Sequence, residues 1–78
     1  MSGRPHEIQL DCKGLNCPMP IVRISQAMKT LHAGQAVVVE ATDPAFPADL
    51  KAWAQRMGHH IVSVENRDCI RATVKKGA

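Results

Sequence analysis

Two proline-marked helix starts divide this chain. Cys17-Pro18-Met19-Pro20 and Thr42-Asp43-Pro44 each follow a short apolar run, and each precedes an apolar stripe of helical period. Proline has no backbone N–H and a fixed φ. Both properties suit the first turn of a helix, where amide hydrogens lack a helical acceptor anyway. Pro18 also biases the residue before it away from helical geometry. Cys17 is therefore expected at the N-cap, with Pro18 as the first helical residue. At the second start, Asp43 is the candidate N-cap and Pro44 the first helical residue.

The stripes and runs around these marks give the element order. Ile8 and Leu10 alternate with Glu7 and Gln9, which predicts a strand over 6–11. Ile21, Ile24, Met28 and Leu31 recur at steps of three and four, predicting a helix from Pro18 to about His32, with Gly34 as terminator. Val37-Val38-Val39 forms the centre of a strand over 35–41, and its unbroken apolar run suits a central sheet position or burial on both faces. Leu50, Trp53, Ala54 and Met57 make a second helical stripe that ends at Gly58, with Pro47 predicting an irregular first turn. Two further strands, 61–65 and 70–74, flank the polar turn Asn66-Arg67-Asp68 as a hairpin, with Val62 and Val64 on one face of the first. Two helices cannot cover both faces of so small a sheet. The expected fold is α+β: a two-layer α/β sandwich of order β-α-β-α-β-β, a four-stranded mixed sheet with both helices on one face.

Seventy-eight residues allow one domain with one modest core. It is expected over 6–76, after a flexible leader at 1–5. Phe46 and Trp53 are the only aromatics, so the core must be built from Ile, Val, Leu, Met and Ala. The net charge of +3 is spread along the chain, and no basic run is interleaved with aromatics, so a nucleic-acid partner is not required. No apolar stretch reaches the length of a membrane span, and none follows Met1-Ser2-Gly3-Arg4-Pro5 as a signal peptide would need. A soluble, cytoplasmic monomer is expected. Three cysteines leave one unpaired in any single-disulfide scheme, which argues against a secreted disulfide scaffold. A structural zinc site wants four ligands at short paired spacings. Cys12, Cys17, Cys69 and His59-His60 do not have them, so no metal and no cofactor are expected.

Cys17 is the candidate reactive residue. A thiolate is the nucleophilic form of cysteine, and the positive end of a helix favours it by about 0.3–1 kcal/mol when exposed. Lys13 and Arg23 either add to that field or are solvated surface. The competing reading makes Cys17 a small residue packed at a helix start. Cys12 is open between a resolving thiol for Cys17 and a small buried residue at a strand end. A bridge needs Cα atoms within about 7 Å. Cys69 beside the hairpin turn reads as exposed and incidental. His59-His60 reads as the junction of helix and strand rather than a proton shuttle, His6 and His32 read likewise as non-catalytic, and Trp53 reads as core.

The run Leu10-Asp11-Cys12-Lys13-Gly14-Leu15-Asn16-Cys17-Pro18-Met19-Pro20 resembles the signature of the TusA-like (SirA-like) sulfur-carrier family, whose heart is Cys-Pro-x-Pro. Thr42-Asp43-Pro44, with Asp49-Leu50 and Trp53 beyond it, is similar to the family's second-helix region. The resemblance implies a two-layer fold like the C-terminal domain of a translation initiation factor. It also implies that Cys17 carries sulfane sulfur as a persulfide, while Asp11, Gly14, Pro18 and Pro20 shape its loop and Met19 fills a variable position. The implied donors are a cysteine desulfurase or a rhodanese, and the acceptor is a thiol protein of a relay serving tRNA thiolation, cofactor synthesis or sulfur oxidation. Such a carrier is loaded and unloaded stoichiometrically rather than turning over as an independent enzyme. Two other readings stand beside it. One is a thiol redox switch through a Cys12–Cys17 disulfide, weakened by the absence of Cys-x-x-Cys. The other is an RNA-binding module.

Overall fold

The computed structural model describes residues 7–77. The leader at 1–5 and the first residue of the expected strand, His6, lie outside the described residues. The elements are β1 (Glu7–Cys12), α1 (Met19–Met28), β2 (Ala36–Ala41), α2 (Phe46–Met57), β3 (His60–Asn66) and β4 (Ile70–Lys75). They form one sheet of order β1-β2-β4-β3. β1 and β2 are parallel, as the crossover through α1 requires, and β4 pairs antiparallel with both β2 and β3. The expected mixed four-stranded sheet is therefore present.

Strand periodicity of two puts the core on one face. Val37, Val39 and Ala41 of β2 and Ile70, Ala72 and Val74 of β4 are buried. Against them pack Ile24 and Met28 from α1 and Phe46, Leu50, Trp53 and Ala54 from α2. Both helices lie on this side. The other face carries Gln9, Asp11, Glu40, Arg71 and Lys75, none of them buried. Val38, within the apolar run of β2, is half-buried on that open face, so the run reflects a central strand rather than burial on both sides.

Several boundaries differ from the expected ones. α1 begins at Met19, so Pro18 rather than Cys17 is the N-cap and Pro20 is the second helical residue. α2 begins at Phe46 with Ala45 as N-cap. Asp43 and Pro44 therefore lie in the turn before the helix, and Pro47 sits in its first turn, where a missing N–H costs nothing. α1 ends at Met28, short of His32, because the chain tightens there. Lys29, Thr30 and Leu31 donate to the carbonyls three residues back, at 3.3, 3.1 and 3.2 Å. Leu31 still reaches the core from that turn. Met57, expected in the apolar stripe of α2, is 54% exposed at the helix end.

The register of β3 also departs from simple alternation. Ile61 pairs with Val74 and Ser63 with Thr73, leaving Val62 as an extra residue between them. This bulge reverses the parity of the strand. Val64 then pairs with Ala72 on the helix-covered face, and Val62 no longer shares a face with it. Val62 is accordingly 62% exposed.

The C-terminal segment closes the layer. The Lys76 ammonium donates to the Met28 and Leu31 carbonyls at 2.8 and 2.5 Å, at the negative end of α1. Lys76→Met keeps the stem and removes these charged hydrogen bonds. It is expected to cost about 1–3 kcal/mol. In urea unfolding the midpoint should fall while the slope stays constant.

Candidate functional site

The parallel pairing of β1 with β2 aligns Cys12 with Ala41, so the loops that follow the two strands leave the sheet side by side. Side chains of the second loop hold the first. The Thr42 hydroxyl accepts the Gly14 N–H at 2.9 Å. One oxygen of the Asp43 carboxylate accepts the Cys17 N–H at 2.8 Å, and the other accepts the Ala45 N–H at 3.1 Å. Gly14 turns the chain with φ +83°, a region that disfavours residues with a Cβ. Pro20 is buried, anchoring the start of α1, whereas Cys17, Pro18 and Met19 are exposed. The result is a cysteine held by its backbone with its side chain open to solvent.

The electrostatics around Cys17 reverse the expected sign. Residues 17–20 offer no free amide hydrogen to a thiolate. Pro18 and Pro20 have none, the Cys17 N–H goes to Asp43, and the Met19 N–H goes to the Asn16 carbonyl at 2.8 Å. The prolines that mark the helix start thus remove the donors that make a helix end attractive to anions. Asp49, in the first turn of α2, is the carboxylate with the largest influence on the Cys17 thiol. Its pull on the thiol proton, followed by desolvation and the charges of Asp49 and Asp43, pushes the thiol above its ordinary pKa.

Lys13 and Arg23 do not supply a compensating field at Cys17. The Lys13 ammonium lies 3.2 Å from both Asp11 and Glu40, and Arg71 approaches Glu40 at 4.0 Å. This network sits on the open sheet face. Asp11 also accepts the Lys13 N–H at 3.1 Å, and this bond, with the Lys13 side chain, holds its carboxyl below the usual value. The same pairs, Asp11 first, raise the Lys13 ammonium above its own. Arg23 is exposed on α1, and its charge is felt at Cys12.

Cys12 is 0% exposed and belongs to the core, where burial pushes its thiol up. Its environment is that of a small packed residue. Cys69 is half-buried rather than exposed. His59 packs on Trp53 with ring centroids 5.0 Å apart and accepts the Gly77 N–H at 3.1 Å, a structural position between α2 and the C-terminal segment. Among the described residues, no three His, Cys, Asp or Glu side chains group to hold a metal ion. No helix among them is long and apolar enough to cross a membrane.

Of the residues singled out from sequence, Asp11, Cys12, Lys13, Gly14, Cys17, Pro18, Met19, Pro20 and Arg23 all lie on or beside this loop and α1, but only Cys17 combines a thiol with full access. Thr42 and Asp43 as loop tethers, and Asp49 as the thiol's neighbour, are additions from the structure. The available signal was indirect: polar residues just after a strand whose parallel neighbour ends in the cysteine loop.

Fold and site together define a two-layer β-α-β-α-β-β domain presenting a single open cysteine on the loop into its first helix. Residues 8–76 match the family model described as Sulfurtransferase TusA, and the chain belongs to that family. It is 45% identical over 71 residues to the putative sulfur carrier protein YrkF of Bacillus subtilis, covering 90% of this chain and 38% of YrkF. It is 44% identical over 69 residues to the putative sulfur carrier protein YrkI of the same organism, covering 87% of this chain and 92% of YrkI. The crystal structure of a SirA-like protein from Desulfitobacterium hafniense superposes with a TM-score of 0.79 at 27% identity, covering 91% of this chain and 99% of that one.

Proposed function

We propose that this protein is a sulfur carrier that accepts sulfane sulfur as a persulfide on Cys17 and relays it to an acceptor protein thiol. The observation that carries this reading is that Cys17 alone among the three cysteines is exposed, on a loop tethered through its own backbone to Asp43. Its family membership and the names of its relatives support it. The Cys17 thiolate attacks the terminal sulfur of a donor persulfide. The bond between Cys17 Sγ and that sulfur forms as the donor's S–S bond breaks, and the donor leaves as a thiolate. An acceptor thiolate then attacks the same terminal sulfur and releases Cys17 as a thiolate. Each step is thiol exchange, governed by thiolate fraction, leaving group and access.

A carrier of this kind needs reach rather than a pocket, since the chemistry is completed in the partner's site. The donor is a rhodanese or a cysteine desulfurase, and the acceptor is a thiol protein in tRNA thiolation, cofactor synthesis or sulfur oxidation. The working unit is the domain at 6–76, acting as a cytoplasmic monomer loaded stoichiometrically, with no metal, cofactor, membrane or nucleic-acid partner. The burial of Cys12 favours this reading over a Cys12–Cys17 redox switch.

The test is a mass spectrum after incubation with a persulfide-loaded rhodanese or desulfurase. The Cys17 peptide should gain one sulfur atom that a reductant removes. No gain with donors that load another carrier overturns the proposal.

A further inference from the structure

We propose that Asp43 and Asp49 determine the charge selectivity of Cys17, opening its exchange to partners that present a cation beside their reacting sulfur and closing it to anionic thiols and disulfides. The inference rests on Cys17 being the reacting thiol, as proposed above. It adds the chemistry of the partner: a donor or acceptor protein with Lys or Arg next to its own cysteine.

Asp43 is fixed by two hydrogen bonds, one to the Cys17 N–H at 2.8 Å and one to the Ala45 N–H at 3.1 Å, so its charge cannot swing away. The backbone of Asp49 is tied to the same loop, its N–H donating to the Ala45 carbonyl at 3.0 Å, so this second carboxylate follows Asp43 in the first turn of α2, and it raises the Cys17 thiol. Both residues are partly buried, whereas Cys17 is exposed. A reagent approaching the sulfur therefore meets the held carboxylate of Asp43, with that of Asp49 beyond it. Of the two cations nearest in sequence, Lys13 is taken by Asp11 and Glu40, and the charge of Arg23 is felt at Cys12. Residues 17–20 have no free amide hydrogens, so the segment that carries the sulfur adds few donors to offset the two carboxylates. The local sign is opposite to the chain's net charge of +3.

The consequence for exchange follows from Coulomb's law. An incoming anion meets like charge within a few ångströms of the sulfur, and an incoming cation meets opposite charge. Each such pair near a solvated surface changes a rate by a few-fold, and salt screens it. Two carboxylates give roughly a tenfold preference for a cationic over an anionic reagent. A free carrier with this frame resists discharge by the small anionic thiols around it. Docking a cation neutralises the frame, lowers the energy of the Cys17 thiolate and makes it a better leaving group. Protection in transit and release on docking then come from the same two side chains.

The test uses disulfide exchange, which needs no sulfur donor. The Cys17 thiolate attacks one sulfur of a symmetric disulfide, forms a mixed disulfide and expels one thiolate. Cys69→Ser protein is treated with cystamine, hydroxyethyl disulfide and dithiobis(nitrobenzoate), which are cationic, neutral and dianionic. Rates at Cys17 are read by mass and divided by those of a blocked Cys-Pro peptide with each reagent. The normalised cationic-to-anionic ratio should be about ten at low salt and approach one in 1 M salt. It should fall in Asp49→Asn, fall again in the Asp43→Asn/Asp49→Asn double variant, and be restored by Asp49→Glu. Asp49→Asn should also shift the pH midpoint of the exchange rate downward, because an amide no longer holds the proton on the thiol. A ratio of one in the parent protein overturns the inference, as does a ratio unchanged in the double variant. The salt arm needs no variant, so misfolding cannot rescue it. If sulfur loading fails while the ratio holds, the carrier reading falls alone. If loading succeeds and the ratio is one, the charge frame falls alone.

Discussion

Cys17→Ser is expected to abolish sulfur loading completely while leaving the protein as stable as its parent, within about 0.5 kcal/mol. The side chain is exposed and takes no part in the core, and the backbone N–H that reaches Asp43 at 2.8 Å is untouched by the substitution. The hydroxyl cannot form a persulfide, so the mass gain disappears. Cys69→Ser should load as the parent does, because Cys69 lies by the hairpin turn, away from the loop into α1. Cys12→Ser should also load. It replaces a fully buried thiol with a hydroxyl among apolar neighbours, which costs about 1–3 kcal/mol unless a partner is found. Loss in loading and loss in stability are thus assigned to different cysteines. If folded Cys12→Ser failed to load while keeping Cys17 reactive to iodoacetamide, the redox-switch reading would displace the carrier.

The second large effect is structural and lies far from the cysteine. A Cβ on Gly77 would stand 1.8 Å from the Gly58 carbonyl oxygen and 2.9 Å from its carbon. Both are backbone atoms, so no side chain can rotate out of the way. Gly58 cannot move freely, because it ends α2 at φ +79° with its N–H returned to the Ala54 carbonyl. The segment would have to lift, breaking the Gly77 N–H bond to His59 and disturbing Lys76 at the end of α1. Gly77→Ala is expected to destabilise by about 1–3 kcal/mol, the usual cost of forcing atoms into a packed site. Thermal unfolding should register it as a fall of roughly 4–8 °C per kcal/mol in a domain of this size. An unchanged melting temperature would mean that the C-terminal segment does not pack on the end of α2.

The elements themselves were legible because their signals are local. The three-and-four spacing of Ile21, Ile24, Met28 and Leu31 specifies one helix face whatever lies across from it, and three of the four are buried. Ile70, Ala72 and Val74 specify one strand face in the same way. The exact helix starts were less legible. Proline tolerates any position in a first turn, so Pro18 and Pro44 signalled a start without fixing which residue caps it. The face of Val62 was not legible at all, because a bulge depends on the partner strand and leaves no mark in an alternating run.

The same division runs through the site. Cys17 and its loop could be picked from sequence, since a Gly turn and a proline pair shape that segment locally. Its charge environment could not. Asp43 and Asp49 stand 26 and 32 positions further along the chain (43 − 17 and 49 − 17), and they come beside the thiol only because β1 and β2 are parallel and end together. A local reading gave the cysteine the positive end of a helix, whereas the assembled molecule gives it two carboxylates. Short-range patterns can determine which backbone forms and which residue is displayed. The sign of the field at a single sulfur is a sum over everything folded around it, and only the tertiary structure completes that sum.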